Sequence, residues 1–306
     1  MRQRGLLFRS SLGAWSADSS RLQELDSLPL DAQSLLLAPI DRLPEEQRTV
    51  LKSAAVIGST FGAGILTDLL ATQGVAAAAA ETILTALEGA GVIHKDQWGS
   101  VPYFTFQSGL LREAIYANLN FAARRDLHRA TGLAIQARAH DPVKVVGILA
   151  HHFFEARDAE RAVPLLEGAT QEAERRHALS VARDHLRHLL ELLPADSPAP
   201  WGTDRARGPV SFHLARLERE LGHFQEARDL LDTCLMDAPD TLRPELTLWS
   251  AYLRSDLGDL EASTREIEHV LATTQEPGLH GQASNWRGVL FAMTGQLNQA
   301  VLFFRQ

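Results

Sequence analysis

The sequence predicts a mainly α chain: three helices and a β-hairpin in its first part, then an α-solenoid of helical hairpins. Three observations carry this. Hydrophobic residues make up 45% of the 306, enough to bury a sizeable core. The stretch from "LPEEQRTVLKSAAVIG" to "GVIHKDQWGSVPYFTF" reads as helix, helix, helix, hairpin, the order of a small winged-helix domain. Beyond residue 120, helical segments of similar pattern recur at a fixed period.

The elements follow in order. "GLLFRSSLGAWSAD" has the pattern of two short strands around a Ser-Leu-Gly turn. "LPLDAQSLLLAPIDRLP" reads as a helix capped near Asp31 and interrupted by Pro39. In the next helix Pro44 precedes two glutamates, which suit the positive end of the helix dipole, and Gly58 ends it. Helices are then expected over about 63–70 and 75–90, with the alanines of 76–80 as a helix start. A hairpin follows, with Val92 and Ile93 in one strand, Gly99 at a polar tip, and Tyr103, Phe104 and Phe106 in the other. "FTFQSGLLREAIYANL" joins that second strand to a helix, with Ser108 at the joint. The winged-helix domain is assigned to 43–119.

The repeat signal is the strongest. Gly222, Gly258 and Gly295 stand 36 and 37 residues apart, just above the tetratricopeptide period of about 34. Seven residues before each glycine is a small residue: Ala215, Ala251, Gly288. Five after it stand Ala227, Ser263 and Ala300, and nine after it the bulky Leu231, Ile267 and Phe304. Where the two helices of a hairpin cross closely only a small side chain fits, and a large one seals the neighbouring layer. An earlier copy aligns Ala150, Ala162, Leu166 and Ala169, with Arg157 at the turn in place of glycine. "HALSVARDHLRHLLELLP" adds another helix. Residues 120–193 are therefore a helical linker and first hairpins, 194–209 a Pro- and Gly-containing linker, and 210–306 tetratricopeptide-like repeats.

Composition and motifs exclude several functions. The net charge of −8 offers no attraction for nucleic acid or an acidic membrane. The third helix of the winged-helix domain carries Glu81 and Glu88 and no Lys or Arg, so it would repel a DNA backbone. One cysteine, Cys234, allows no intramolecular disulfide; it falls in a small-residue row and is expected in the core. No stretch approaches the about 20 apolar residues of a membrane span, and the N-terminal apolar run stops at Phe8, too short for a signal-peptide core. A cytoplasmic location is expected.

Candidate chemistry reads as structural. "GSTFGAG" (58–64) follows a helix and lacks the lysine of a phosphate loop, so it is expected to be a cap and a turn. No GxxxxGK[ST] and no apolar strand ending in paired acidic residues occurs, so phosphoryl transfer is not expected and no cofactor is implied. His151 and His152 are adjacent, and His185 and His188 share a helix face, but no HExxH completes a metal site. "RRDLHR" (124–129) is expected to be a solvated basic face.

Four stretches occur in an order that resembles a known family: "LPLDAQSLLLAPIDRLPEEQRTVLKSAAVIGSTF", "FTFQSGLLREAIYANL", "RRDLHRATGLAI" and "LAHHFFEARDAERAVPLLEGATQEAERRHALSVARDHLRHLLELLP". They are similar to the signalling ATPases of the STAND class, in which bacterial proteins join an AAA-like ATPase to tetratricopeptide repeats. Many carry a cyclase domain or a LuxR- or SARP-type DNA-binding domain. The resemblance implies that 1–42 is a remnant of the ATPase lid and that the ATPase module itself lies N-terminal, supplied in cis or trans. The chain stops at Gln306 inside a repeat, so a piece trimmed at both ends is expected. The resemblance further implies a nucleotide-sensing histidine after the "F-x-F" pair. Phe104, Phe106, Arg112, Glu113 and Tyr116 match that motif, whereas the histidine position is Ser108, which can bond a phosphate but cannot carry an imidazolium charge.

The family also implies a ligand groove lined by the first helix of each hairpin. Transferring the repeat register gives His151, Phe154, Phe212, Arg216, Arg219, Leu248, Tyr252 and Asn285. Arg216 and Arg219, three apart on one helix face, would hold a carboxylate of an acidic peptide, or pair with nearby glutamates. The expected function is a non-catalytic regulatory and protein-interaction portion of a STAND-type ATPase. The alternatives are part of an ATP-dependent transcriptional regulator or nucleotide cyclase whose catalytic domains are encoded elsewhere, or a degenerate gene fragment.

Overall fold

The computed structural model describes residues 7–9, 15–17, 40–98, 101–194, 201 and 206–303. The helix expected around Asp31, the Ser-Leu-Gly turn, the hairpin tip at Gly99, the wall position Phe304 and most of the linker 194–209 lie outside them. The described residues form a mainly α protein with short strands, in two compact units, Met1–Asp158 and Ala159–Gln306.

In the first unit β1 (Leu7–Arg9) and β2 (Trp15–Ala17) pair antiparallel, Leu7 opposite Ala17. Helix α1 (Glu45–Ile57) starts after Pro44 with Glu45 and Glu46 in its first turn, as the sequence requires. It ends at Gly58, whose φ of 148° and N–H bond to the Ala54 carbonyl close it. A strand that the sequence reading missed follows, β3 (Thr60–Gly62). It replaces part of the turn expected in "GSTFGAG"; three residues are too few to display an alternating pattern. Helices α2 (Ala63–Ala71) and α3 (Ala77–Gly89) come next, then the hairpin β4 (Ile93–Trp98) and β5 (Val101–Phe106). The sheet order is β3-β5-β4, all antiparallel, with Phe61 opposite Phe104 and Ile93 opposite Phe106. This register puts Phe61, Phe104 and Phe106 on the inner face, against Leu51, Leu66, Leu70 and Leu87 of the three helices. Each such aliphatic side chain, fully buried, contributes about 1.5–3 kcal/mol. β4 is one of the two sheet edges, and the Glu88 carboxylate accepts from its Lys95 N–H, which blunts that edge.

Helices α4 (Gly109–Ala117), α5 (Phe121–Arg138) and α6 (Pro142–Glu155) complete this unit. Asn120 and Asp141 cap α5 and α6 through side-chain oxygens. α5 is fastened to α2 by Arg138, whose guanidinium holds both carboxylate oxygens of Asp68 and keeps that carboxyl below its usual range. Gly132 of α5 lies under the fully buried Phe153 of α6.

The second unit is a run of helices, each packed on the next: α7 (Ala159–Arg175), α8 (Leu179–Leu192), α9 (Arg207–Glu220), α10 (Phe224–Met236), α11 (Arg243–Asp256), α12 (Leu260–Thr273), α13 (Pro277–Met293) and α14 (Leu297–Phe303). α9 begins inside the expected linker, because Gly208 and Pro209 occupy a first turn, where a missing N–H costs nothing. Arg207 donates to the Leu190 carbonyl at 2.6 Å near the end of α8.

The repeat rows pack as their spacing requires. Ala215, Ala251, Ala227, Ser263 and Ala300 are all buried, and so are Leu231 and Ile267. The Ser263 hydroxyl, fully enclosed, donates to the Ala251 carbonyl at 2.7 Å, so a polar side chain fits a row of alanines. Cys234 is in the core, where burial pushes its thiol up to about 12.

The turns explain the glycine period. Gly222, Gly258 and Gly295 take φ near +80°, and the next residue's N–H returns to the carbonyl five residues earlier: His223 to Glu218, Asp259 to Arg254, Gln296 to Phe291, each at 2.8 Å. Arg157 and His177 adopt the same left-handed turn at φ 53° and 55° without being glycine. Their bonds match: Asp158 to Phe153 at 3.0 Å and Ala178 to Ala173 at 2.8 Å.

Candidate functional site

The first candidate is the joint at Ser108. Phe104 and Phe106 anchor its strand in the core, their ring centroids 5.9 and 5.7 Å from Phe61. Ser108 is extended (φ −129°) and is the N-cap of α4: its Oγ accepts the Leu111 N–H at 3.2 Å. Arg112 donates to the Ala55 carbonyl of α1 at 2.9 Å and pairs with Glu113, and the Tyr116 hydroxyl meets His128 Nε2 at 2.9 Å. The motif residues thus bind α4 to its neighbours, and the serine at the expected sensor position caps a helix. Replacing Ser108 with alanine is expected to cost about 1 kcal/mol in chemical denaturation. Calorimetric titration of the unmodified chain with ATP or ADP is expected to show no binding; submillimolar affinity overturns the capping role as the whole role of Ser108.

The basic run after it is not a free solvated face, which corrects the expectation. Arg124 donates to the carbonyls of Tyr116, Ala117 and Leu119, and its guanidinium lies 4.5 Å from the Tyr116 ring centroid. Arg125 donates to the Ala156 carbonyl at 3.1 Å. Such cations satisfy carbonyls that helix ends leave over. His128, in the same run, is buried.

Of the groove positions, two lie in the first unit. His151 is exposed, while Phe154 is buried beneath the Arg157 guanidinium, 4.9 Å from its ring centroid. In the second unit Leu248 is fully buried in the core, a correction to its expected place on the groove. The others form a surface. Phe212, Trp249, Tyr252 and Trp286 touch in series across α9, α11 and α13, with centroids 6.0, 5.3 and 4.5 Å apart. Edge and tilted contacts of this kind suit the ring quadrupoles. Arg219 lies within 5.9 Å of the Trp249, Tyr252 and Trp286 centroids and bonds Asp256 Oδ2 at 2.6 Å. So Arg219 is paired, with an aspartate rather than a glutamate. Arg216 lies 4.9 Å from the Trp249 centroid, is exposed, and has no carboxylate at ion-pair distance among the described residues. Asn285 is exposed on α13.

Trp249 and Trp286 were absent from the expected groove. Both stand nine residues before their turn glycine, one position along from Leu248 and Asn285. That recurrence was the signal available in the sequence. Among the described residues no group of three or more His, Cys, Asp or Glu is arranged to hold a metal ion, and no helix is long and apolar enough to cross a membrane.

No protein-family model matches the chain, and no curated protein does. Solved structures give distant likenesses. A STAND protein with a tetratricopeptide repeat sensor from Pyrococcus horikoshii has 13% identity and a TM-score of 0.41, over 89% of this chain and 45% of that one. The nearly identical TPR-like repeats of a kinesin light chain from Podosopora anserina have 17% identity and a TM-score of 0.37, over 55% of this chain and 94% of that one. BtubC from P. vanneervenii has 15% identity and a TM-score of 0.28, over 64% and 75%. These values are too low to carry fold or function across; the helical-hairpin architecture stands on the helices and turns themselves.

Proposed function

We propose that the chain is a non-catalytic, protein-interaction portion of a STAND-type signalling protein, acting in the cytoplasm, with residues 43–119 as a winged-helix domain that packs on an ATPase module. In this reading residues 210–306 bind a protein or peptide partner. The observation that supports it most is the aromatic series Phe212, Trp249, Tyr252 and Trp286, crossed by Arg216 and Arg219. Aromatic and arginine side chains are the residue types that concentrate binding energy at protein interfaces. Arg219 has its charge answered by Asp256; Arg216 offers its charge outward. A peptide placing a carboxylate at Arg216 and an apolar side chain on the rings matches that arrangement.

The test is an array of short synthetic peptides of acidic, neutral and basic sequence, probed with the purified chain. Acidic peptides with apolar neighbours are expected to be retained. Arg216→Ala is expected to weaken them about tenfold with helicity unchanged, since the residue is exposed; Arg216→Lys is expected to rescue them only in part, because lysine keeps the charge and loses the planar stack. Equal retention of all three peptide classes, or of wild type and Arg216→Ala, overturns the reading.

A further inference from the structure

The function proposed above leaves one buried polar cluster unused. His128 of α5 and His152 of α6 are 1% and 2% exposed, and their Nδ1 atoms are 2.9 Å apart. His128 Nε2 meets the Tyr116 hydroxyl of α4, also at 2.9 Å. Three helices are thus joined by one chain of hydrogen bonds, Tyr116–His128–His152.

The chain has two neutral arrangements. In one, the Tyr116 O–H donates to His128 Nε2 and His128 Nδ1–H donates to His152 Nδ1. In the other every bond runs the opposite way. Each requires one bare and one protonated Nδ1. A first added proton is accommodated by the second arrangement, with His152 as the cation. A second puts two N–H groups face to face, and the bond between α5 and α6 is lost.

The surroundings oppose even the first. Burial lowers His128 to about 2 and His152 to about 3, with the mutual proximity of His128, His151 and His152 adding to it. The charged groups nearby are few. α4 brings Arg112, paired with Glu113; α5 brings Arg124, Arg125 and Arg129, the last near Asp158; α6 brings His151 and Glu155. α1 meets the cluster's Arg112 with the Ala55 carbonyl, and α2 offers Asp68, held by Arg138 ten residues along α5, about 15 Å away. Arg112 and Arg124 both disfavour a cation on His128.

We propose that Tyr116, His128 and His152 form an acid-released latch, closed at neutral pH, which parts α6 from α5 when both imidazoles are protonated, while His128 Nε2–H still donates to the Tyr116 oxygen of α4. Because both folded values lie below the ordinary histidine value of about 6.5, the closed form is fully favoured above that pH and is lost as pH falls through it. From about one unit below 6.5 down toward the folded values, each ring adds a factor of about ten per pH unit to the open population, so two add about a hundredfold.

Hydrogen exchange on the full chain tests this. Between pH 5.5 and 4.5, corrected for intrinsic exchange, the opening constant of amides in α4 through α6 is expected to rise about a hundredfold, while that of α11 and α12 holds. His128→Asn with His152→Gln is expected to abolish the dependence, and His152→Gln alone to reduce it to about tenfold; the single variant decides if the double one does not fold. Tyr116→Phe is expected to raise opening at every pH and leave the slope intact. A flat profile in α4–α6, the same slope in the histidine variants, or equal loosening of α11 and α12 overturns the latch.

Discussion

Replacing Arg187 with alanine is expected to destabilise the second unit by about 3 kcal/mol, more than removing the carboxylate it holds. Glu218 of α9 is fully buried, and it accepts from Arg187 of α8 at 2.6 Å and from His223 at 2.7 Å. The partners are not equally buried: the Arg187 side chain is 49% exposed and His223 43%, while Glu218 is at 0%. The cost of breaking the pair therefore depends on which side is cut. Without Glu218, Arg187 and His223 turn to water and only a side-chain-sized gap remains. Without Arg187, an anion stays enclosed with His223 as its single remaining partner, the situation that costs about 3–5 kcal/mol in buried pairs. His223 keeps the figure at the low end. The decisive comparison is the double variant Arg187→Met with Glu218→Leu. It is expected to be more stable than Arg187→Ala alone, since well-packed apolar replacements of a buried ion pair are neutral or better. Urea denaturation followed by far-ultraviolet circular dichroism measures all three. A double variant less stable than Arg187→Ala shows that Glu218 is not a liability when unpaired.

That asymmetry was not legible in the sequence, and the reason is general to this chain. Spacing reveals rows that repeat, so the small residues at Ala215 and Ala251, the walls at Leu231 and Ile267 and the turns at Gly222, Gly258 and Gly295 are all legible in the sequence. Arg157 could be placed at a turn from alignment alone, and its left-handed φ follows from the same hydrogen-bond pattern as the glycines. What spacing does not reveal is a pairing that occurs once. Arg187 and Glu218 are 31 residues apart in unlike parts of their helices. The same holds for His128, expected on a solvated face, and His152: nothing in a local window tells a buried imidazole from an exposed one or names its partner 24 residues away.

The binding face shows the finer limit. A helix turns about 100° per residue, so a register shifted by one position moves a side chain from surface to core. Carrying one register across the three copies took Phe212, Leu248 and Asn285, of which Leu248 is buried and Asn285 exposed. The tryptophans one position further along, Trp249 and Trp286, are the ones that meet Tyr252 and the arginines. β3 was missed for a different reason: its partner β5 lies more than forty residues away in sequence, and only that pairing makes Thr60–Gly62 a strand.

The α5–α6 crossing of the first unit gives the other large expected effect, and it couples two residues. Phe153 is fully buried, and a Cβ built on Gly132 would stand 3.0–3.2 Å from its ring carbons Cζ, Cε1 and Cε2. Phe153→Ala is expected to cost about 3–5 kcal/mol, through lost burial and the cavity left behind. Gly132→Ala poses two opposed effects. Alanine in a helix interior is favoured over glycine by about 1 kcal/mol, but overpacking a filled site costs about 1–3 kcal/mol. A ring that is fully buried cannot swing aside, so overpacking wins and Gly132→Ala alone is expected to destabilise. In the Phe153→Leu background the close ring atoms are gone. There Gly132→Ala is expected to become stabilising, by up to about 1 kcal/mol, because only the helix preference remains. The sign change between backgrounds is a coupling that a double-mutant cycle reads directly from denaturation midpoints. If Gly132→Ala has the same effect with phenylalanine and with leucine at 153, the ring does not set the spacing of these helices, and the small-residue logic that explains the repeat rows does not extend to this crossing.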